Sequence, residues 1–305
     1  MSDEASLNLA MRWLIFIKER FEPFSHLAMI ALFVAGHWAM VAMPHVIFVP
    51  RSVSLLTFFG TLTFFFKLRL YDEIKDYETD IAYNPTRPLP RGLLGHRHLY
   101  LAIGTCISAE ILFFGIASPN SLQILIPAIA YSLLMYKEFF IPSLIRPKLT
   151  TYAVMHTVVT VLLSMTIFSA LTNATVYNLS HEYLYFALMS WMLFNIFEFG
   201  RKTFTDNEER DQVPSYSNVW GRYGAVILLL SQSIIMTILL LSIELFDSPF
   251  MKNTLIGINI SLLIIGLLYG KLNRPPWGGI YRAFSSLYII LIYAIIIANY
   301  GIYRS

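Results

Sequence analysis

Charge is scarce in this sequence: Lys, Arg, Asp and Glu supply 13% of its 305 residues, while 56% are hydrophobic. Soluble domains average about 25% charged, and a soluble chain of this size needs a polar exterior that so few charges cannot supply. Cysteine is nearly absent. The single Cys106 lies inside an apolar run and pairs with nothing, so a disulfide framework is excluded, and the seven His form no zinc-type spacing. The net charge of +3 is too small for a nucleic-acid binder. Residues 1–5 carry acid rather than base and precede no short apolar segment with a cleavage site, so no cleaved signal peptide is expected. No long polar stretch is left over for an attached soluble domain.

What is abundant is apolar sequence in long runs. A membrane-spanning helix needs about 20 mostly apolar residues. Such runs fall at 26–49, 52–70, 99–118, 121–140, 150–171, 182–201, 219–246, 253–271 and 281–301. The expected fold is therefore all-α, a single polytopic membrane domain over 1–305 with about nine transmembrane helices around a central cavity. Ahead of them, residues 7–21 put Leu9, Trp13, Leu14 and Ile17 on one helical face, with Arg12, Lys18 and Arg20 elsewhere. This pattern predicts an interfacial helix over 1–22, lying on the bilayer.

The distribution of Lys and Arg orients the spans. Of the 22 basic residues, 19 lie in the N-terminal segment or in the loops after spans two, four, six and eight, leaving Arg51, Lys252 and Arg304 for the other side. The basic side is cytoplasmic by the positive-inside rule. The N-terminus and the loops over 71–98 and 198–218 are thus expected in the cytoplasm, at the inner membrane if the cell is bacterial. The sequons at Asn173 and Asn178 fall on the opposite side.

The 19 carboxylates cluster too. Five lie within 72–80 and five within 198–211, both on the basic side. Asp72, Asp76 and Asp80 recur every fourth residue and would share one helical stripe, where unpaired like charges repel. A divalent cation reverses that penalty. Magnesium takes one or two carboxylates per ion and completes its shell with water and phosphate oxygens. A solvated acidic helix end, neutralised by Arg69 and Lys75, would explain the stripe equally well. The residues that follow, Asn84-Pro85-Thr86-Arg87-Pro88-Leu89-Pro90-Arg91-Gly92, end the helix in a fixed turn. They leave Arg87 and Arg91 available to contact phosphate.

From Asp72 to Gly92 the chain resembles the first signature of the UbiA superfamily of intramembrane prenyltransferases, N-D-x-x-D-x-x-x-D followed by N/E-P-x-R-P-x-P-x-G. The distance from Asp80 to Arg87-Pro88 is that of its chlorophyll-synthase-like members. Asp72 and Glu73 stand where the family has Asn and Asp. The second, Asp-rich signature corresponds to Glu198-x-x-x-Lys202-x-x-x-Asp206, with Lys202 in place of a central carboxylate. The family's Tyr-x-x-x-Lys element is imperfect at Tyr131 to Lys137, because neither Tyr131 nor Tyr136 has that spacing to the lysine.

The resemblance implies magnesium on Asp72, Glu73, Asp76, Asp80, Glu198 and Asp206. Arg87, Arg91, Lys202 and Asn195 would lie at the diphosphate, with Arg87, Arg91, Lys137 and Lys202 assisting its departure. The implied partners are an isoprenyl diphosphate, a lipophilic acceptor and membrane lipid, with no protein partner. A membrane terpene cyclase would use the same carboxylates without an acceptor, so it stands as the alternative. A non-enzymatic lipid transporter is more distant, because transporters place such groups near the bilayer midplane. Within the apolar runs, Glu110, His156 and Asn195 are functional candidates by default; hydrogen bonds between helices explain Glu110 and His156 equally well.

Overall fold

The computed structural model describes residues 7–43, 48–210 and 214–304, with no side-chain description for 302–304. Asp211, the acidic residues of 1–5, and 44–47 at the end of the first expected span lie outside the described residues. In chain order the helices are α1 (Leu9–Arg20), α2 (Pro23–Ala42), α3 (Arg51–Lys75), α4 (Tyr77–Tyr83), α5 (His96–Ala117), α6 (Leu122–Tyr136), α7 (Pro142–Ile145), α8 (Leu149–Thr157), α9 (Val159–Thr172), α10 (His181–Arg201), α11 (Tyr216–Leu241), α12 (Pro249–Leu272) and α13 (Pro275–Arg304). The described residues contain no β-strand, as expected for an all-α membrane protein, where only helices or closed barrels satisfy the backbone in lipid.

Polar residues set where these helices begin. The Asn8 side chain accepts from Met11 N at 2.9 Å to open α1, and Glu22 accepts from Phe24 N (3.1 Å) and Ser25 N (2.7 Å) ahead of Pro23 to open α2. Ser215 and Ser248 cap α11 and α12 in the same way, accepting from Asn218 N and Met251 N. Each supplies one of the acceptors that a helix N-terminus lacks. Asn273, in the left-handed region at φ 41°, ends α12 before Pro275 restarts the chain as α13.

Seven helices are long and apolar enough to cross a membrane: α2, α3, α5, the pair α8–α9 taken together, α11, α12 and α13. That is two fewer than the nine expected, although helices occupy the positions of the other two. The fourth expected span is α6, whose 15 residues reach about 22 Å at 1.5 Å per residue, short of the roughly 30 Å of hydrocarbon. The sixth is α10, 21 residues long, which carries Glu182, Glu198 and Arg201. It packs against α9, α11 and α13 and buries Ser190 and Asn195. Enclosed by protein, it needs less apolar surface than a lipid-facing helix.

The core is aromatic. Phe33 of α2 meets Phe65, Phe194 and Tyr293 edge-on at 5.7–6.0 Å, while Phe65 and Phe194 stack at 5.6 Å, so α2, α3, α10 and α13 share one contact. Such pairs each contribute about 0.5–1.5 kcal/mol beyond the area they bury. The outside is apolar as well: Ile116, Ile227, Ile238 and Ile264 are exposed, a surface suited to acyl chains rather than water. Between α10 and α13 the approach is so close that a Cβ on Gly200 would stand 2.2 Å from that of Ser285.

Glu110, one of the intramembrane candidates, has a partner that sequence did not identify. Lys67 Nζ donates to Glu110 Oε2 at 2.6 Å, with both side chains fully buried between α3 and α5. Removing one member leaves a lone buried charge at a cost of about 3–5 kcal/mol, whereas replacing both by apolar groups is often neutral. Accordingly, Lys67→Met should lower the melting temperature of the purified protein sharply, and Lys67→Met combined with Glu110→Leu should recover most of the loss. A double variant as unstable as the single one would show that the pair does more than neutralise itself.

Candidate active site at the acidic end of the bundle

The acidic stripe forms at the end of α3, which runs beyond the expected limit at 70 and carries Asp72 within its last turn. At Asp76 the backbone leaves helical geometry (φ −88°, ψ 1°), and α4 starts immediately after it. Much of 71–98 is therefore helical rather than open loop. Asp72 is paired at 3.2 Å with Lys75 and at 3.8 Å with Arg69, and remains 45% exposed. Burial raises Asp76 above the ordinary carboxylate range, with Asp72 and Asp80 adding to the effect while Lys75 and Arg87 oppose it.

Asp80 has a different setting. Its buried carboxylate receives Arg87 Nη1 at 2.6 Å on both oxygens and Asn84 Nδ2 at 3.1 Å. The turn closes through Arg91 N donating to Arg87 O and Leu93 N to Pro88 O, and Gly92 adopts φ 80° there, a conformation that favours glycine. The Asn-Pro-x-Arg-Pro run thus folds its arginine back onto the last aspartate of the stripe. Arg91 reaches outward instead, donating to Glu19 of α1 at 2.8 and 2.9 Å and to Thr86 O at 2.6 Å. Glu73 is buried and taken by Arg20 and Arg69. Its carboxylate serves the contact with α1, on another face of the helix from Asp72.

The second cluster sits at the end of α10. Glu198 accepts from Arg201 Nε at 2.5 Å and from Lys202 Nζ at 2.9 Å. α10 runs beside α3, where the Phe65 and Phe194 rings stack at 5.6 Å, seven residues before Asp72 and four before Glu198. Asp206 lies further along, accepting from Asn273 Nδ2 at 2.6 Å with Arg222 at 3.8 Å. It is drawn to the ends of α11 and α12, not to the Glu198 pair. Asn195, one turn before Glu198, joins a polar network inside the bundle: Thr157 Oγ1 donates to its Oδ1, and its Nδ2 donates to Gln232 Oε1 at 3.0 Å. Lys137 Nζ stands 4.7 Å over the Tyr136 ring.

A third group went unread in the sequence. Lys75 Nζ lies 5.5 Å over the Tyr152 ring. Tyr152 Oη donates to Glu138 at 3.4 Å, and Arg146 holds Glu138 at 2.7 Å. Tyr152 comes from α8, Glu138 from the segment between α6 and α7, and Arg146 from the end of α7, so only the tertiary fold sets them beside Lys75. In sequence, Glu138 sits inside the fourth expected span and Arg146 just after it, with nothing to link them.

No three His, Cys, Asp or Glu side chains among the described residues converge closely enough to hold an ion. The donors still suit a hard cation: carboxylates in ones and twos, with Asp72 partly exposed and held only by cations that another cation could replace. This matches how magnesium is usually bound, with substrate oxygens filling the shell.

A bundle with paired acidic clusters at one end defines a class of polytopic membrane protein, and its fold is that of UbiA-type proteins. It is similar to the apo structure of a UbiA homolog from Aeropyrum pernix K1, with a TM-score of 0.62, 13% identity, and coverage of 90% of this chain and 96% of that one. It is equally similar to a digeranylgeranylglyceryl phosphate synthase structure, with a TM-score of 0.63, 15% identity, and coverage of 95% and 98%. No family model matches the sequence, and no curated protein matches it.

One ion pair anchors the second loop. Glu208 accepts from Arg282 at 2.6 and 2.9 Å and from Thr205 N and Oγ1. The Arg282 hydrogen bonds, followed by those from Thr205, lower its carboxyl to about 2. A lowered carboxyl stabilises the fold above its unfolded value near 4.5, and the contribution fades as pH falls toward about 2. Glu208→Gln should therefore cost about 2 kcal/mol at neutral pH. In thermal melts the gap to the parent should stay constant above about pH 5 and shrink by more than half near pH 3; a gap that does not change with pH contradicts the assignment.

Proposed function

We propose that the protein is a magnesium-dependent intramembrane prenyltransferase, which ionises an isoprenyl diphosphate and passes the prenyl group to a lipophilic, aromatic acceptor. The observation that supports this best is the stacking of Phe65 on Phe194, which runs α3 beside α10 and so carries Asp72 and Glu198 toward one end of a bundle with the UbiA-type fold. The Lys and Arg distribution puts that end in the cytoplasm, where a diphosphate head would meet it while its tail lay among the helices.

Asp72 and Asp76 would hold one ion and Glu198 a second; bound magnesium supplies Lewis-acid stabilisation to the departing diphosphate. In this reading Arg87, Lys202 and Lys137 would receive the diphosphate oxygens, and Arg91 would join them on leaving Glu19; preset charge of this kind lowers the barrier where anionic character grows. Asp80, locked by Arg87 and Asn84, fixes the turn that carries these arginines. Glu73 fastens α1 to the same helix end. The apolar, aromatic interior below keeps water from the allylic cation, and ring faces can stabilise it.

Purified protein in lipid nanodiscs, given magnesium and farnesyl or geranylgeranyl diphosphate with phenolic and lipid-alcohol acceptors, should release pyrophosphate and form a prenylated product. Chelating magnesium should abolish both, and Asp76→Asn should reduce pyrophosphate release by at least about 10²-fold. Activity that survives both changes rules the reading out. A cyclic hydrocarbon formed without acceptor would make the protein a terpene cyclase instead.

A further inference from the structure

We propose that His156 is the general base of the transfer step, taking the proton that the acceptor gives up as it captures the prenyl cation; this role rests on the transferase reading above. The residue sits in the last turn of α8, next to the break at Val158 that separates α8 from α9. Its Nδ1 lies 2.7 Å from the backbone oxygen of Tyr152. A carbonyl only accepts, so Nδ1 is the protonated nitrogen, and in the neutral ring Nε2 carries the free lone pair. That nitrogen is buried and has no hydrogen-bond partner in the protein. Buried polar atoms are seldom left so.

The ring is held in place. It stacks on Tyr152 at 4.0 Å and 25°, and the Phe139 ring meets it edge-on at 5.9 Å. Phe139 reaches this position through an unusual backbone: Glu138, Phe139 and Phe140 all adopt positive φ, at 48°, 54° and 58°. None is glycine, and residues held in this region are found preferentially where function requires the geometry. Lys75 Nζ lies 5.5 Å over the Tyr152 ring on which His156 stacks, and the Tyr152 hydroxyl donates to Glu138, so a single ring separates His156 from the end of α3 that carries the acidic stripe.

His37 provides the contrast. It makes the same bond, Nδ1 to Phe33 O at 2.7 Å, and its Nε2 likewise has no partner. Yet its neighbours are the rings of Phe33, Phe168 and Phe186 at 4.4–4.9 Å, within the core of the bundle. The i−4 bond alone therefore assigns nothing; the charged surroundings of His156 make the difference.

In the step itself, the prenyl C1–O bond breaks and its electron pair leaves on the diphosphate. An electron pair of the acceptor, from a hydroxyl oxygen or an electron-rich ring carbon, forms the new bond to C1. The O–H or ring C–H proton passes to His156 Nε2. The resulting imidazolium keeps its Nδ1–H on Tyr152 O and returns the proton to water as product leaves.

The test separates ionisation from capture. Wild type, His156→Gln and His156→Asn are compared at equal folded amount, judged by melting temperature, using the same diphosphates with one phenolic and one lipid-alcohol acceptor. Both variants should release pyrophosphate within about threefold of wild type, but form about 10²- to 10³-fold less prenylated acceptor, with prenyl alcohol accumulating instead. Transfer that persists in both variants overturns the role, and so does a parallel loss of pyrophosphate release and transfer in folded protein, which would place His156 in ionisation or in structure. Wild-type protein that transfers to neither acceptor overturns the transferase reading, and this role falls with it.

Discussion

Charge at the end of an apolar bundle has to be neutralised before it can be used, and that constraint organises this structure. Far from bulk water, an isolated carboxylate or guanidinium is expensive. Nearly every acid at the acidic end is accordingly held by a base: Asp72 by Lys75, Asp80 by Arg87, Glu138 by Arg146, Glu198 by Lys202 and Arg201, Glu208 by Arg282. The arrangement resembles a lock with its charges balanced. A substrate that brought a cation to the carboxylates and an anion to the freed bases would exchange one neutral set for another, leaving no charge uncompensated.

The same pairing explains why the second cluster divides. Lys202, one turn after Glu198, neutralises it directly. Asp206 then falls under the influence of Asn273 and Arg222, and Glu208 under that of Arg282. The loop after α10 is thereby fastened to α12 and α13, and the part of it nearest the first cluster shrinks to Glu198, Arg201 and Lys202.

Much of this could be read from residue order. The i, i+4, i+8 spacing of Asp72, Asp76 and Asp80 gave their position at a helix end, and the prolines after Asn84 gave the turn. The apolar runs located every long helix, though not the ends of α2, α3 and α13. Where the reading erred, distance along the chain was the cause. Helices fill spans four and six as expected, but α6 is shorter and α10 more polar than a lipid-facing span, because neighbouring helices decide what each must face. Glu73 and Asp80 looked equivalent to Asp72 and Asp76, but a 100° step around the helix sends Glu73 to Arg20, and a fold of the following turn commits Asp80 to Arg87. The partners of Glu110 and Glu138 lie 43 and eight residues away and carried no local signal.

Sequence alone determined that this is a membrane protein, which end of it is basic, and where its acid is concentrated. Those properties are sums over composition and periodicity, and they survive any arrangement of the helices. Only the tertiary structure decided which acids remain open and which are already paired, that α3 and α10 stack Phe65 on Phe194, and that Lys75, Tyr152, His156 and Phe139 of the strained turn pack in sequence on one another. Those are contacts between segments far apart in the chain, and packing in three dimensions is what selects them.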